Sequence, residues 1–283
     1  MHFTRSQIEF YHQNGYLPGP RVLDDSLLDR LQRRFDDIMA GHTDFPSALR
    51  SAPPSDQKGA LRAVKAVNVF RHDSVFAEVL RLPAIGELAH DLLMGPVRVW
   101  QDQAITKVPH DLTTGLAWHQ DFVYNDQIGP PEWCTCWIAL DDAIIDNGCM
   151  YVIPGSHRWP IAYSREEVDG DDMDWLLRHP QIPLEADRTP VACEVKAGYC
   201  HFHHCKTVHG SYGNRTNKPR RSYTPILIPG NTIRVGDDWN PGRHASLGNI
   251  PYGGIVQGPE FPELPALDSG SPARRDQKER VSP

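Results

Sequence analysis

The chain of 283 residues has no Cys-x-x-Cys pair, and its six cysteines at 134, 136, 149, 193, 200 and 205 form no paired framework. That excludes a zinc ribbon or a thioredoxin-type redox motif, and a chain of this length needs no disulfide staples. Reduced thiols in a cytoplasmic protein are therefore expected, with Cys134 and Cys136 packed inside one strand. No apolar run approaches the roughly 20 residues that span a bilayer. The opening Met1-His2-Phe3-Thr4-Arg5 lacks a secretory pattern, and the closing Arg280-Val281-Ser282-Pro283 carries no peroxisomal address. Basic excess is lacking too. The 29 Lys and Arg against 36 Asp and Glu leave a net charge of −7, so nucleic acid is not an expected partner. What remains is a chain whose 40% hydrophobic residues can bury a sizeable core. Its expected partner is a small-molecule substrate, with no membrane contact; nothing in the pattern speaks to oligomeric state.

Residues 1–95 read as mainly helical. Thr4-Arg5-Ser6-Gln7 has the form of a capping box, and Gly15 can stop the helix that follows. From Ser26, the residues Leu28, Leu31, Phe35 and Ile38 recur at helical spacing until Gly41. Residues 42–60 are rich in Ser, Pro and Gly and read as a mobile loop; a third helical stretch is split by Pro83. After Gly95-Pro96 the pattern changes to eight short β-like runs, at 97–107, 117–119, 134–140, 149–153, 191–196, 199–204, 207–211 and 221–229. Turn residues separate many of them. The residues alone thus predict a β-sandwich or barrel buttressed by helices. A single domain over 1–264 is expected, with its β core at 96–230. The polar, acidic insert at 155–190 is long enough to suggest an active-site lid. Residues 265–283 read as a disordered tail.

Chemistry concentrates in three places. In Trp118-His119-Gln120-Asp121, residues two apart on a strand face one side, so His119 and Asp121 can address one object. With a distant second histidine they match the two-His, one-carboxylate triad of iron(II) oxygenases, although His-x-Asp by itself also suits a surface hydrogen-bonded pair. Histidines cluster at 201, 203, 204 and 209, and a basic pair stands at Arg220-Arg221. On an extended strand those two arginines point to opposite sides.

Four segments, in order, give the chain a family resemblance. They are Trp118-His119-Gln120-Asp121 with Tyr124, Trp137-Ile138-Ala139-Leu140-Asp141-Asp142, Asp146-Asn147-Gly148-Cys149-Met150 leading to Ile153-Pro154-Gly155-Ser156-His157, and Val208-His209-Gly210-Ser211 followed by Asn214 and Pro219-Arg220-Arg221. With Asn14-Gly15-Tyr16 they span most of residues 8–229, and the chain resembles the phytanoyl-CoA dioxygenase family of iron(II)/2-oxoglutarate-dependent dioxygenases. The resemblance implies a mainly β protein with flanking α-helices and a double-stranded β-helix core, a jelly roll of cupin-like form. It implies Fe(II), 2-oxoglutarate and O2 as cofactors, with substrate hydroxylation as the outcome.

His119, Asp121 and His209 would hold the metal and carry catalysis. His201, His203 and His204 match no ligand position, and His204 is expected to pack or to stand behind the ligands. Arg220 would bind the far carboxylate of 2-oxoglutarate, with Ser211 as a hydroxyl donor and Gln101 and Trp137 lining the co-substrate pocket. Trp137 suits the core equally. Lys65 and Lys107 stand near a family lysine position, while Phe122, Tyr124 and Trp133 suit either a substrate pocket or the core. Asp121 argues against a halogenase, which carries a small residue there. Desaturation, cyclisation or epimerisation would use the same ligands. A non-redox, cupin-like isomerase or sensor is the rival from another class, and it has no need of Arg220 and Ser211.

Overall fold

The computed structural model describes residues 1–51, 64–160, 172–238 and 245–266. Thirteen strands are described: β1 (Tyr16–Arg21), β2 (Arg50–Ser51), β3 (Val64–Val67), β4 (Val97–Lys107), β5 (Leu116–His119), β6 (Ile128–Gly129), β7 (Cys134–Ala139), β8 (Met150–Val152), β9 (Val191–Cys193), β10 (Tyr199–His204), β11 (His209–Ser211), β12 (Arg220–Pro229) and β13 (Ile233–Arg234). Seven form one sheet in the order β1-β10-β7-β12-β4-β3-β2, four form a second in the order β5-β11-β8-β9, and β13 pairs with β6. Every pairing is antiparallel. This is the expected jelly roll.

Helices α1 (Arg5–Asn14), α2 (Asp25–Ala40), α3 (Val69–His72), α4 (Ser74–Leu80) and α5 (Pro83–Leu93) accompany the large sheet. Thr4 and Gln7 make the expected capping box, and Gly15 closes α1 in the left-handed region at φ 78°. The start of α2 differs from the sequence reading: Asp24, not Ser26, caps it, accepting from the Leu27 N–H at 2.8 Å. Leu27, Leu28, Leu31, Phe35 and Ile38 form its buried stripe. They join α4, α5 and the outward face of the large sheet in one cluster that includes Cys134, Cys136, Ile138, Cys200 and Phe202. Each such large apolar side chain contributes roughly 1.5–3 kcal/mol by leaving water. All six thiols are free and buried.

Strand alternation does the rest. With Cys134, Cys136 and Ile138 turned to the helices, Thr135 and Trp137 on β7 face the inside, and on β10 His203 does so opposite Phe202. The first 95 residues are less purely helical than their periodicity suggests, because β1, β2 and β3 complete the large sheet.

The described ends of the 155–190 insert pack on the outside of the small sheet. The Trp118 backbone N–H donates to Met173 O at 3.1 Å and its indole N–H to Asp174 at 3.0 Å. Leu176 and Ile182 are buried against Trp118, Val123, Ile153 and Val208. The centre of the expected lid (161–171), most of the expected mobile loop (52–63) and nearly all of the expected tail (267–283) lie outside the described residues. Among the described residues no helix is long and apolar enough to cross a membrane.

Candidate metal centre and co-substrate pocket

His119 closes β5 and His209 opens β11, and the two are direct cross-strand partners. Their rings lie 4.2 Å apart. Asp121 is not on the strand, as the sequence reading had it, but begins a 3₁₀ turn over Asp121–Tyr124. The alternation still carries through, because the intervening Gln120 is extended at φ −114°, ψ 130°. Asp121 Oδ1 therefore comes within 3.7 Å of His119 Nε2 and 3.6 Å of His209 Nε2. One ligand atom from each of the three residues lies within 4.8 Å of the others. It is the single such cluster among the described residues.

The hydrogen bonds set the histidine tautomers. His119 Nδ1 lies 2.7 Å from Ala117 O and His209 Nδ1 lies 2.9 Å from Thr207 O. A carbonyl only accepts, so each Nδ1 carries the proton and each Nε2 lone pair faces Asp121. Burial pushes both imidazoles down to about 4, which leaves them neutral at pH 7. Burial opposes ionisation of Asp121, but His209 and the hydrogen bond from His203 outweigh it and hold the carboxyl well below its usual range. Two neutral nitrogens and one carboxylate on a shared point form a donor set that fits a divalent iron.

The triad opens on a cavity of about 480 Å³. Arg220, at the start of β12, lines it and is 3% exposed. Its Nη2 donates to Gly148 O at 2.8 Å, its Nη1 to Ser222 Oγ at 3.3 Å, and it lies over the Trp137 ring at 5.4 Å. No carboxylate pairs with it among the described residues, its Nε has no partner, and burial lowers it to about 10. A buried cation with this much unused donor capacity fits a carboxylate ligand. Gly148 makes the arrangement possible: at φ 76° it turns tightly, and a Cβ there would meet Tyr212 O at 2.3 Å and Lys107 Cδ at 2.9 Å.

Ser211, Gln101 and Trp137 line the same cavity, and Gln101 Oε1 is buried without a partner among the described residues. Arg221 leaves the opposite face. It makes a two-pronged pair with Asp141 at 2.8 and 2.9 Å and a further bond to Asp36 at 2.7 Å, tying β12 to α2.

The two lysines part company. Lys65 on β3 lines the cavity, whereas Lys107 is buried behind Arg220, where its ammonium donates to Thr114 O. Burial and the Arg220 charge both push the Lys107 pKa down. Of the three aromatics, Tyr124 faces the cavity with its ring 5.8 Å from His119, while Trp133 is core and Phe122 packs against it. His204 packs, as expected, against Glu132 and His157. The sequence reading missed His203, whose Nε2 lies 3.2 Å from Asp121 Oδ2. It also missed Thr135, which donates to the same oxygen at 2.7 Å. The signal was available in the inward alternation of β10 and β7.

Two antiparallel sheets of a jelly roll enclose this two-His, one-carboxylate cluster, a donor set that suits a metal. The model of the family described as phytanoyl-CoA dioxygenase (PhyH) matches residues 11–222, and the chain belongs to this family. The family's chemistry rests on iron(II), 2-oxoglutarate and dioxygen.

The L-proline trans-4-hydroxylase of Streptomyces griseoviridis is 36% identical over 149 residues, which cover 52% of this chain and 52% of that one. A probable phytanoyl-CoA dioxygenase of Caenorhabditis elegans is 27% identical over 232 residues, 77% of this chain and 73% of its own. Among solved structures, the non-heme alpha ketoglutarate dependent carbocyclase SnoK from nogalamycin biosynthesis superposes with a TM-score of 0.71 at 22% identity, covering 93% of this chain and 96% of that one. EctD from S. alaskensis with 2-oxoglutarate and 5-hydroxyectoine gives 0.65 at 19%, covering 82% and 78%. At these identities the structural likeness bears on the fold.

Proposed function

We propose that this protein is an iron(II)/2-oxoglutarate-dependent hydroxylase of a small, polar metabolite. The observation that carries the reading is one cavity holding both the His119, Asp121 and His209 cluster and a buried Arg220 with no carboxylate partner among the described residues. When bound, iron supplies oxygen activation coupled to the decarboxylation of 2-oxoglutarate to succinate and CO2, with oxidation of the substrate. His119 and His209 present neutral Nε2 atoms to the metal, and Asp121 presents Oδ1. Arg220 holds the far carboxylate of the co-substrate, with Ser211 and Gln101 as further polar contacts and Trp137 as the wall beneath the guanidinium. The burial of Arg220 strengthens its pairing with a carboxylate.

The size and chemistry of the cavity support a small substrate. About 480 Å³ shared with 2-oxoglutarate leaves room for a compact molecule, within the usual span for small-ligand sites. The lining offers amides and hydroxyls from Gln103, Asn125, Tyr124 and Thr224. A relative named for L-proline hydroxylation makes free amino acids the first class to try. Solved structures titled carbocyclase and epimerase make cyclisation and epimerisation the alternative outcomes. Arg220 weighs against a non-redox isomerase or sensor. The six free thiols support a reducing, cytoplasmic setting, and a single domain over 1–264 completes the reading; the described residues of the 155–190 insert do not line the cavity.

The test is succinate release from 2-oxoglutarate in the presence of Fe(II) and oxygen, screened against metabolite classes with product masses recorded. A substrate that raises succinate and gains one oxygen atom supports hydroxylation. A product of unchanged mass, or two hydrogens lighter, assigns epimerisation or a desaturation or cyclisation instead. No 2-oxoglutarate turnover with any class would leave the non-redox reading standing.

A further inference from the structure

Asp121 is held by two donors that are neither metal ligands nor neighbours in sequence. His203 Nε2 stands 3.2 Å from Asp121 Oδ2, and Thr135 Oγ1 donates to the same oxygen at 2.7 Å. A carboxylate only accepts, so the His203 ring carries its proton on Nε2. These residues are direct cross-strand partners, His203 on β10 opposite Thr135 on β7. Both belong to the inward face of the large sheet, whereas the two candidate histidine ligands come from the small sheet. His203 is 2% exposed and Thr135 is 3% exposed. The His203 ring also lies 4.5 Å from that of His209 at an interplanar angle of 49°, so one side chain touches two of the three candidate ligands.

The consequence lies in how the carboxylate divides its two oxygens. Oδ2 is occupied by two protein donors, while Oδ1 alone faces His119 Nε2 and His209 Nε2 at 3.7 and 3.6 Å. For Asp121 to present both oxygens to a metal, it would have to rotate and abandon two buried hydrogen bonds. Both donors are buried and reach a charged acceptor, so breaking these bonds is unfavourable, and a stranded donor adds its own desolvation cost. The fold thus prefers one carboxylate oxygen per metal, which leaves more of the coordination sphere for small molecules.

Resting on the metal-centre reading above, we infer that His203 and Thr135 are a positioning pair that locks Asp121 as a one-oxygen ligand and braces His209. The clamp joins the large sheet to a centre otherwise built from the small sheet and the turn after it. Neither residue would touch the metal.

The test compares His203→Phe, His203→Gln, Thr135→Val and Thr135→Ser with the unaltered chain, in oxygen-free titrations with Co(II). Affinity and the Co(II) visible spectrum are read together with the thermal midpoint. His203→Phe keeps a ring beside His209 but has no donor, and His203→Gln restores an N–H. Phe and Val should weaken Co(II) about 10- to 100-fold and alter the spectrum, while Gln and Ser recover most of both. The Phe and Val effects should be non-additive when combined, because the two donors share one oxygen. Should His203→Phe not fold, the Thr135 pair carries the same contrast with a smaller change in volume. Variants that bind Co(II) with unaltered affinity and spectrum would overturn the clamp while leaving the metal centre in place. An unaltered chain that binds no Co(II), or binds it equally well as His119→Ala, would overturn the metal-centre reading and the clamp with it.

Discussion

Truncating Arg220 to alanine separates co-substrate binding from metal binding and from folding. In the structure its guanidinium is buried, bonded to Gly148 O and Ser222 Oγ, and without a carboxylate partner among the described residues. A bound 2-oxoglutarate would supply that partner, and its far carboxylate would be stranded if the arginine were removed. Breaking such a buried pair costs about 3–5 kcal/mol. At about 1.4 kcal/mol per tenfold, 2-oxoglutarate affinity should fall at least a hundredfold in Arg220→Ala. Metal affinity should hardly change, because His119, Asp121 and His209 are untouched. The ligand-free variant should also lose little stability, since the native side chain is a cation that burial already disfavours.

Arg221→Ala should give the converse. Its two-pronged bond to Asp141 and its bond to Asp36 stitch β12 to α2. Their loss should cost roughly 2 kcal/mol of stability with little change in co-substrate affinity. The assays are 2-oxoglutarate titration into the iron-loaded, oxygen-free protein and denaturant unfolding of both variants. A critical Arg221 with a dispensable Arg220 would refute the assignment of faces on β12. Indifference of both would remove the main support for 2-oxoglutarate.

Three further outcomes follow from the same geometry. Saturating Co(II) at about a hundred times its Kd should stabilise the protein by about 2.7 kcal/mol, a rise of roughly 5–10 °C in Tm; His209→Ala should show no such rise. The depressed imidazoles of His119 and His209, at about 4, bear on pH in two ways. Metal affinity should stay nearly flat from pH 7 to about 5, where histidines of ordinary pKa (about 6.5) would lose more than about a hundredfold to protons. The metal-free protein should lose stability as pH falls from about 6.5 toward 4, because only the unfolded chain takes up protons readily there. Flat stability over that window would contradict the buried, neutral imidazoles. Finally, Leu176→Ala should cost about 2–5 kcal/mol in denaturant unfolding, because Leu176 is packed under Trp118; a cost below about 0.5 kcal/mol would show that this part of the insert is not core.

Much of this was legible in the sequence, for reasons that can be named. Capping at Thr4 and the stop at Gly15 depend on local chemistry and fall where the sequence places them. Alternation correctly separates Arg220 from Arg221 and puts Ser211 with His209 on the cavity side. What escaped was decided by tertiary context. Tyr16-Leu17-Pro18-Gly19-Pro20-Arg21 lies in the stretch read as mainly helical, yet it is the edge strand β1, a position in a sheet where prolines are tolerated. The four residues of β3 were too short a signal, although they bring Lys65 to the cavity. His203 was set aside because it is not a ligand; its partners, Thr135 and Asp121, lie 68 and 82 positions away, and local pattern does not register that distance. Phe122 and Trp133 carry the same aromatic signal as Tyr124 but belong to the core.

The most direct test of the central claim is a crystal structure of the protein with Fe(II) and 2-oxoglutarate, grown and frozen without oxygen, with iron located by its anomalous signal. The account predicts one iron held by His119 Nε2, His209 Nε2 and Asp121 Oδ1, and the far carboxylate of 2-oxoglutarate on the Arg220 guanidinium. Iron bound elsewhere, or 2-oxoglutarate seated away from Arg220, would contradict it.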